Sequence, residues 1–117
     1  SILTIKNFIL LKRNLNHFNE MELSTNKVEQ LKLVFQKFKE IEKVVLYGSR
    51  ILGTSKPGSD IDLSLYGTIP LSIQLQVMNE LDEMNWPEKI DIRIYMFIQN
   101  KDLKNHIDHY GEIIYEK

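Results

Sequence analysis

An α/β (α+β) domain is the fold class this sequence predicts, and three observations predict it. Apolar runs of strand length stand near 43–47, 61–66 and 90–95; helix-period apolar stripes lie around and between them; and Gly, Pro, Ser and Asn punctuate the junctions. At 117 residues and 43% hydrophobic content, the chain is sized for one core and too short for a second substrate-binding domain.

From Val28, the apolar residues Leu31, Val34, Phe35, Phe38 and Ile41 recur at helical spacing, with Asn26 and Glu29 as a capping pair. Lys27, Lys32, Lys37 and Lys39 take the wet face of that predicted helix, where a lysine stripe needs no ligand to explain it. Lys43-Val44-Val45-Leu46-Tyr47 then reads as a strand running into Gly48-Ser49. Arg50-Ile51-Leu52-Gly53 predicts a short helical turn and Lys56-Pro57-Gly58-Ser59 a tight one. A second strand covers 61–66.

Pro70 opens a helix to about Met84, with Leu71, Leu75, Met78 and Leu81 on one face and Ile73 and Val77 on another, wide enough to be covered on two sides. Trp86-Pro87 breaks it, and Ile90-Asp91-Ile92-Arg93-Ile94-Tyr95 alternates with the period of a third strand. A last helix from Lys101 to Tyr110 stops at Gly111, leaving Ile113-Ile114-Tyr115 as a short strand or packed tail. Residues 1–20 stand apart, being rich in Asn with Glu20 as their only acid; they are expected to be an extension that need not be native, before a single domain at 21–117.

A net charge of −1 gives no whole-protein field for nucleic acid or anionic membrane, so neither is expected as a direct partner. No cysteine is present, which excludes disulfides, thiolate metal sites and thiol redox chemistry. No apolar run approaches the roughly 20 residues of a membrane span, and a soluble, cytoplasmic protein is the expectation.

Strand parity concentrates the chemistry. With Ile61, Leu63 and Leu65 facing the core, Asp60, Asp62 and Ser64 face the other way; Ile90, Ile92 and Ile94 leave Asp91, Arg93 and Tyr95 opposite them by the same rule. If the two strands are neighbours, Asp60, Asp62 and Asp91 converge, and such a cluster repels itself unless a cation neutralises it. Hard oxygen ligands suit Mg²⁺, and two ions about 4 Å apart can hold the attacking and leaving oxygens of an in-line displacement. Asp91 is also placed to take the proton of an incoming hydroxyl. Gly48 lets the chain approach a phosphate closely and Ser49 supplies donors, while Arg50, Lys56 and Ser59 are further candidates for the nucleotide's phosphates.

Taken alone, an Asp-x-Asp at a strand start or a Gly-Ser after a strand is ordinary turn chemistry; their occurrence together, in register with strand, turn and strand, is what points to a site. His106, His109 and Asp102 could share a helix face around a metal, but histidines near a helix C-terminus are favoured by its dipole without one. Tyr47, Tyr66 and Tyr95 are assigned to packing rather than to flanking a base.

Gly48-Ser49, ten residues, Asp60-x-Asp62 and the later Asp91 resemble the signature of the polymerase-β-type nucleotidyltransferase superfamily, and its smallest, stand-alone members (minimal nucleotidyltransferases) match best. The likeness spans nearly all of residues 23–117, including the Gly53 turn, Ser59-Asp60-Ile61-Asp62-Leu63 and the closing Gly111-Glu112-Ile113-Ile114-Tyr115. It implies a small mixed sheet flanked by helices, Mg²⁺ (two ions) on the three aspartates, phosphate binding at Gly48 and Ser49, and transfer of a nucleoside monophosphate, AMP from ATP, to a hydroxyl with loss of pyrophosphate. Minimal members are typically antitoxins encoded beside a HEPN-domain ribonuclease toxin, on which studied ones adenylylate a tyrosine. Alternatives are a non-catalytic module that neutralises a partner by complex formation and, last, a small-molecule (antibiotic) nucleotidyltransferase. A homo- or hetero-oligomer is left open.

Overall fold

The computed structural model describes residues 23–56 and 58–117; the expected extension at residues 1–20 lies outside them. In chain order the elements are α1 (Thr25–Phe35), β1 (Lys43–Tyr47), α2 (Ser49–Leu52), β2 (Ile61–Tyr66), α3 (Leu71–Asp82), β3 (Ile90–Ile94), a 3₁₀ turn at Tyr95–Phe97, α4 (Lys101–Tyr110) and β4 (Glu112–Glu116). The strands form one mixed sheet in the order β3-β2-β1-β4. β1 is antiparallel to β2 and β4, while β2 and β3 run parallel, which requires a crossover, supplied by α3. The expected α/β (α+β) class, a small mixed sheet flanked by helices, is what the chain adopts.

Period-two alternation gives the sheet two working faces. Val44, Leu46, Ile61, Leu63, Leu65 and Ile94 point to one side, where they meet Leu31, Val34 and Phe35 of α1 and Val77 and Leu81 of α3 in the main core. On the other side Val45 and Tyr47 pack with Ile107 of α4, and Tyr66, Tyr95 and Leu103 close around them. Gly111 ends α4 against the sheet, where a Cβ would collide with the Ile107 carbonyl and the Val45 side chain. A register shift between Val44 and Val45 against β4 lets Ile114 and its neighbour Tyr115 both reach the main core. Among the described residues, no helix is long and apolar enough to cross a membrane.

Two expectations are corrected. α1 starts earlier and ends sooner than the spacing predicts: Ser24 rather than Asn26 caps it, accepting the Lys27 N–H at 3.3 Å, and the chain leaves the helix after Phe35 through tighter turns that donate from Lys37 and Phe38 to the carbonyls of Val34 and Phe35. Phe38 and Ile41 stay buried without being helical, because the turn folds them under the same core. α3, expected to be wide enough to be covered on two sides, is covered on one: Val77 and Leu81 are buried, while Leu71, Leu75 and Met78 of the other stripe are exposed. His106 and His109 turn different ways: His106 faces the sheet, while exposed His109 pairs its Nδ1 with the Asn105 carbonyl.

Candidate active site

β2 and β3 are neighbours in register, and Asp62 pairs with Asp91 directly across them. On the other side Asp62 faces Tyr47 of β1, so one lateral row across three strands reads Tyr47, Asp62, Asp91. Register partners project to the same side of a sheet, and the two carboxylates are therefore held together by backbone pairing. Asp60, exposed at the mouth of β2, adds a third charge.

The consequence is written in Asp62. Its carboxyl is pushed up to about 6, first by burial, then by the charges of Asp91 and Asp60, with Arg93 and Arg50 opposing. Arg93 offsets part of the charge on the neighbouring strand, its Nε lying 3.4 Å from an Asp91 oxygen. Carboxylates crowded until one resists ionisation are a set of hard oxygen donors whose repulsion a bound cation would relieve. Among the described residues, however, no three His, Cys, Asp or Glu side chains already stand close enough to hold an ion.

Beside the acids the chain turns at Gly48, whose φ of 85° belongs to glycine and where a Cβ would strike the Asp62 carboxylate. Its amide is fixed from above: His106 of α4 accepts the Gly48 N–H through Nε2 at 2.9 Å. Burial pushes the His106 pKa down, favouring the neutral ring that this bond requires. Ser49 follows, half-buried, as the first residue of α2.

Arg50 is turned inward, only 3% exposed, with its guanidinium donating to the carbonyls of Ser59 at 2.7 Å and Asp60 at 3.3 Å. Its charge meets Glu88 at 3.7 Å, and Glu88 is held at 2.6 Å by Lys27 of α1. Burial works against the Glu88 carboxylate, yet Lys27 and Arg50 hold its pKa below the ordinary value. Ser59 also has local work, its hydroxyl accepting the Lys56 amide at 2.8 Å to close the turn, whereas Lys56 is exposed. Of the expected phosphate groups, Gly48 and Ser49 thus flank the acids, while Arg50 and Ser59 brace the loop that delivers Asp60. Sequence reasoning missed His106 as an anchor of Gly48 and Tyr47 as a neighbour of Asp62. For Tyr47 a signal existed, since it ends the strand that leads into Gly48. A depression of about 380 Å³ beside β3, lined by Ile92, Arg93, Phe97 and Leu103 among others, shares only Arg93 with this site.

Residues 29–117 match the family profile described as "Polymerase beta, Nucleotidyltransferase". No curated protein sequence gives a significant match. Several solved structures share the fold at low identity. One is a toxin-antitoxin complex with AMP-PNP, at 18% identity and a TM-score of 0.61, covering 81% of this chain and 75% of that one. A second is the toxin-antitoxin MntA-HepT, at 15% identity and a TM-score of 0.53, covering 79% and 69%. A third, with the same identity, TM-score and coverage, is a tri-AMPylated Shewanella oneidensis HEPN toxin in complex with an MNT antitoxin.

Proposed function

The chain belongs to the polymerase β nucleotidyltransferase family, and on that premise we propose that it is a Mg²⁺-dependent enzyme moving AMP from ATP to a tyrosine hydroxyl of a HEPN-domain toxin, acting as that toxin's antitoxin. The observation that carries the reaction is the Asp62–Asp91 row with Asp60 at its edge and Gly48-Ser49 turning over it. The biological role draws support from the similar solved structures, which are toxin-antitoxin complexes, one with AMP-PNP and one with a tri-AMPylated HEPN toxin. Residues 21–117 are taken as the catalytic domain of a cytoplasmic protein, with neither nucleic acid nor membrane in the reaction.

In this reading Asp60 and Asp62, with Asp91, hold the metal, which when bound supplies positive charge to the phosphate oxygens. Asp60 is exposed at the start of β2, and Asp91 stands opposite Asp62 with one oxygen 3.4 Å from Arg93 Nε. Ser49 hydrogen-bonds the leaving phosphates through its hydroxyl, and exposed Lys56 offsets their charge. Asp91 accepts the proton of the attacking hydroxyl. Arg50 touches no substrate; it fixes the Ser59 and Asp60 carbonyls so that the acidic loop keeps its place.

The test is transfer of label from α-labelled ATP to a HEPN-domain partner in Mg²⁺, with Asp60→Asn and Asp62→Asn as controls. Label that disappears in both variants supports the reading, and label retained by either contradicts it. A second reading, in which the acids only contact the partner, is favoured by the lack of a ready three-ligand group among the described residues. Variants that transfer nothing yet neutralise the toxin as well as the wild type would select it.

A further inference from the structure

Tyr47 lies in the same lateral row as Asp62 and Asp91, on the sheet face covered by α4, and its side chain packs with Val45 and Ile107 on that face. It is 4% exposed, and its hydroxyl is buried with no group among the described residues accepting its proton. The charged groups that bear on that hydroxyl are Asp62, Asp91 and Arg93, which places the phenol's polar end at the acidic site rather than in the main core. Arg93, the side chain that bears on the phenol as a hydrogen-bond donor, can only donate and so leaves the phenol proton without an acceptor. From α4, His106 stands edge-on to the Tyr47 ring at 6.1 Å between centroids, and its Nε2 is already occupied by the Gly48 amide.

Nearly all buried polar groups have partners, and one left alone is costly. Phenylalanine would fill the same space between Val45, Ile107 and His106 without that cost. The hydroxyl therefore needs a use, and the acceptor it lacks in the free protein is what an incoming anion would bring to the row.

We propose that the Tyr47 hydroxyl is a further binding group of the site, donating a hydrogen bond to a phosphate oxygen of the nucleoside triphosphate held beside Asp62 and Gly48-Ser49. This rests on the nucleotidyltransferase reading of the site. Tyr47 pairs with Asp62 and directly precedes Gly48-Ser49, so its donor and that of Ser49 approach one ligand from two neighbouring points of the chain. Free pyrophosphate offers the same oxygens, and comparing the two ligands separates a contact with the leaving phosphates from one with the transferred phosphate.

The experiment is calorimetric titration of ATP with Mg²⁺, of pyrophosphate with Mg²⁺ and of Mg²⁺ alone into wild type and Tyr47→Phe, with a thermal melt of each free protein. A charge-assisted bond lost on binding weakens ATP affinity by about tenfold or more. The expected result is that loss, with Mg²⁺ binding unchanged and the free variant melting no lower than the wild type. A loss seen with both ligands assigns the contact to the leaving phosphates, and a loss seen with ATP alone to the transferred one. Equal ATP affinity in the two proteins overturns the proposal, as does a variant whose melting point falls together with its affinity, since that marks a structural hydroxyl. Failure of the wild type to bind ATP at all would instead overturn the nucleotidyltransferase reading, and the proposal with it.

Discussion

Asp62→Asn should abolish transfer and, at the same time, make the metal-free protein more stable at neutral pH. The Asp62 carboxyl titrates near 6 instead of near 3.8, because burial and the charges of Asp91 and Asp60 disfavour its ionised form. A raised folded-state value means that stability is fully present below the unfolded pKa and is lost as pH climbs through about 6. From 3.8 to 6 the loss amounts to roughly 3 kcal/mol at pH 8. The side chain is only half-buried, and solvent screening reduces this to about 1–2 kcal/mol. Asparagine keeps the shape and drops the charge, so the variant should melt roughly 5–10 °C higher at pH 8 in chelator, with the gap closing toward pH 4. Thermal or urea melts across that range measure it, and added Mg²⁺ should raise the wild type alone. A variant no more stable than wild type at pH 8, or a gap that does not depend on pH, would refute the idea that these carboxylates are held together at a cost.

Two other perturbations follow from the same geometry. His106→Phe removes the acceptor of the Gly48 N–H while keeping the ring's bulk, and should cost about 1 kcal/mol in a urea melt at pH 8. Because burial lowers the His106 pKa, the stability it contributes is present above the unfolded value of 6.5 and is lost as pH falls through the folded one, so the variant and wild type should converge in acid. Arg50→Met leaves the Ser59 and Asp60 carbonyls and the Glu88 carboxylate without their donor, and is expected to destabilise by roughly 3 kcal/mol in equilibrium unfolding, with nucleotide binding falling as the Asp60 loop loosens.

Much of this was legible in the sequence where the physics is local. The alternation of Ile61, Leu63 and Leu65 with Asp62 and Ser64 puts the acids on one face whatever the rest of the chain does, and the sheet keeps that parity. The Lys101–Tyr110 helix matches its expected span because Asn100 caps one end and Gly111 closes the other. The errors arose where long-range packing decides. Ser24 and Asn26 are both competent caps two residues apart, and the docking of α1 on the core selects Ser24. Leu71, Leu75, Met78 and Leu81 form a stripe as regular as any core face, but the core meets α3 along Val77 and Leu81 and leaves the other three exposed. Arg50 beside Gly48-Ser49 reads as a phosphate ligand, and residue spacing does not encode the two loop carbonyls that its guanidinium also meets. The placement of Tyr47 beside Asp62, and of His106 above Gly48, depends on β1–β2 register and on α4 crossing the sheet, which residue spacing does not encode.

The central claim is that Asp60, Asp62 and Asp91, with Gly48-Ser49, move AMP onto a partner protein. The most direct measurement is the intact mass of a purified HEPN-domain partner after incubation with this protein, ATP and Mg²⁺. Growth of the partner's mass by one or more AMP units, abolished by Asp62→Asn and by chelator, is the predicted result. An unmodified partner after incubation with a wild-type protein shown to bind both it and ATP would contradict the account.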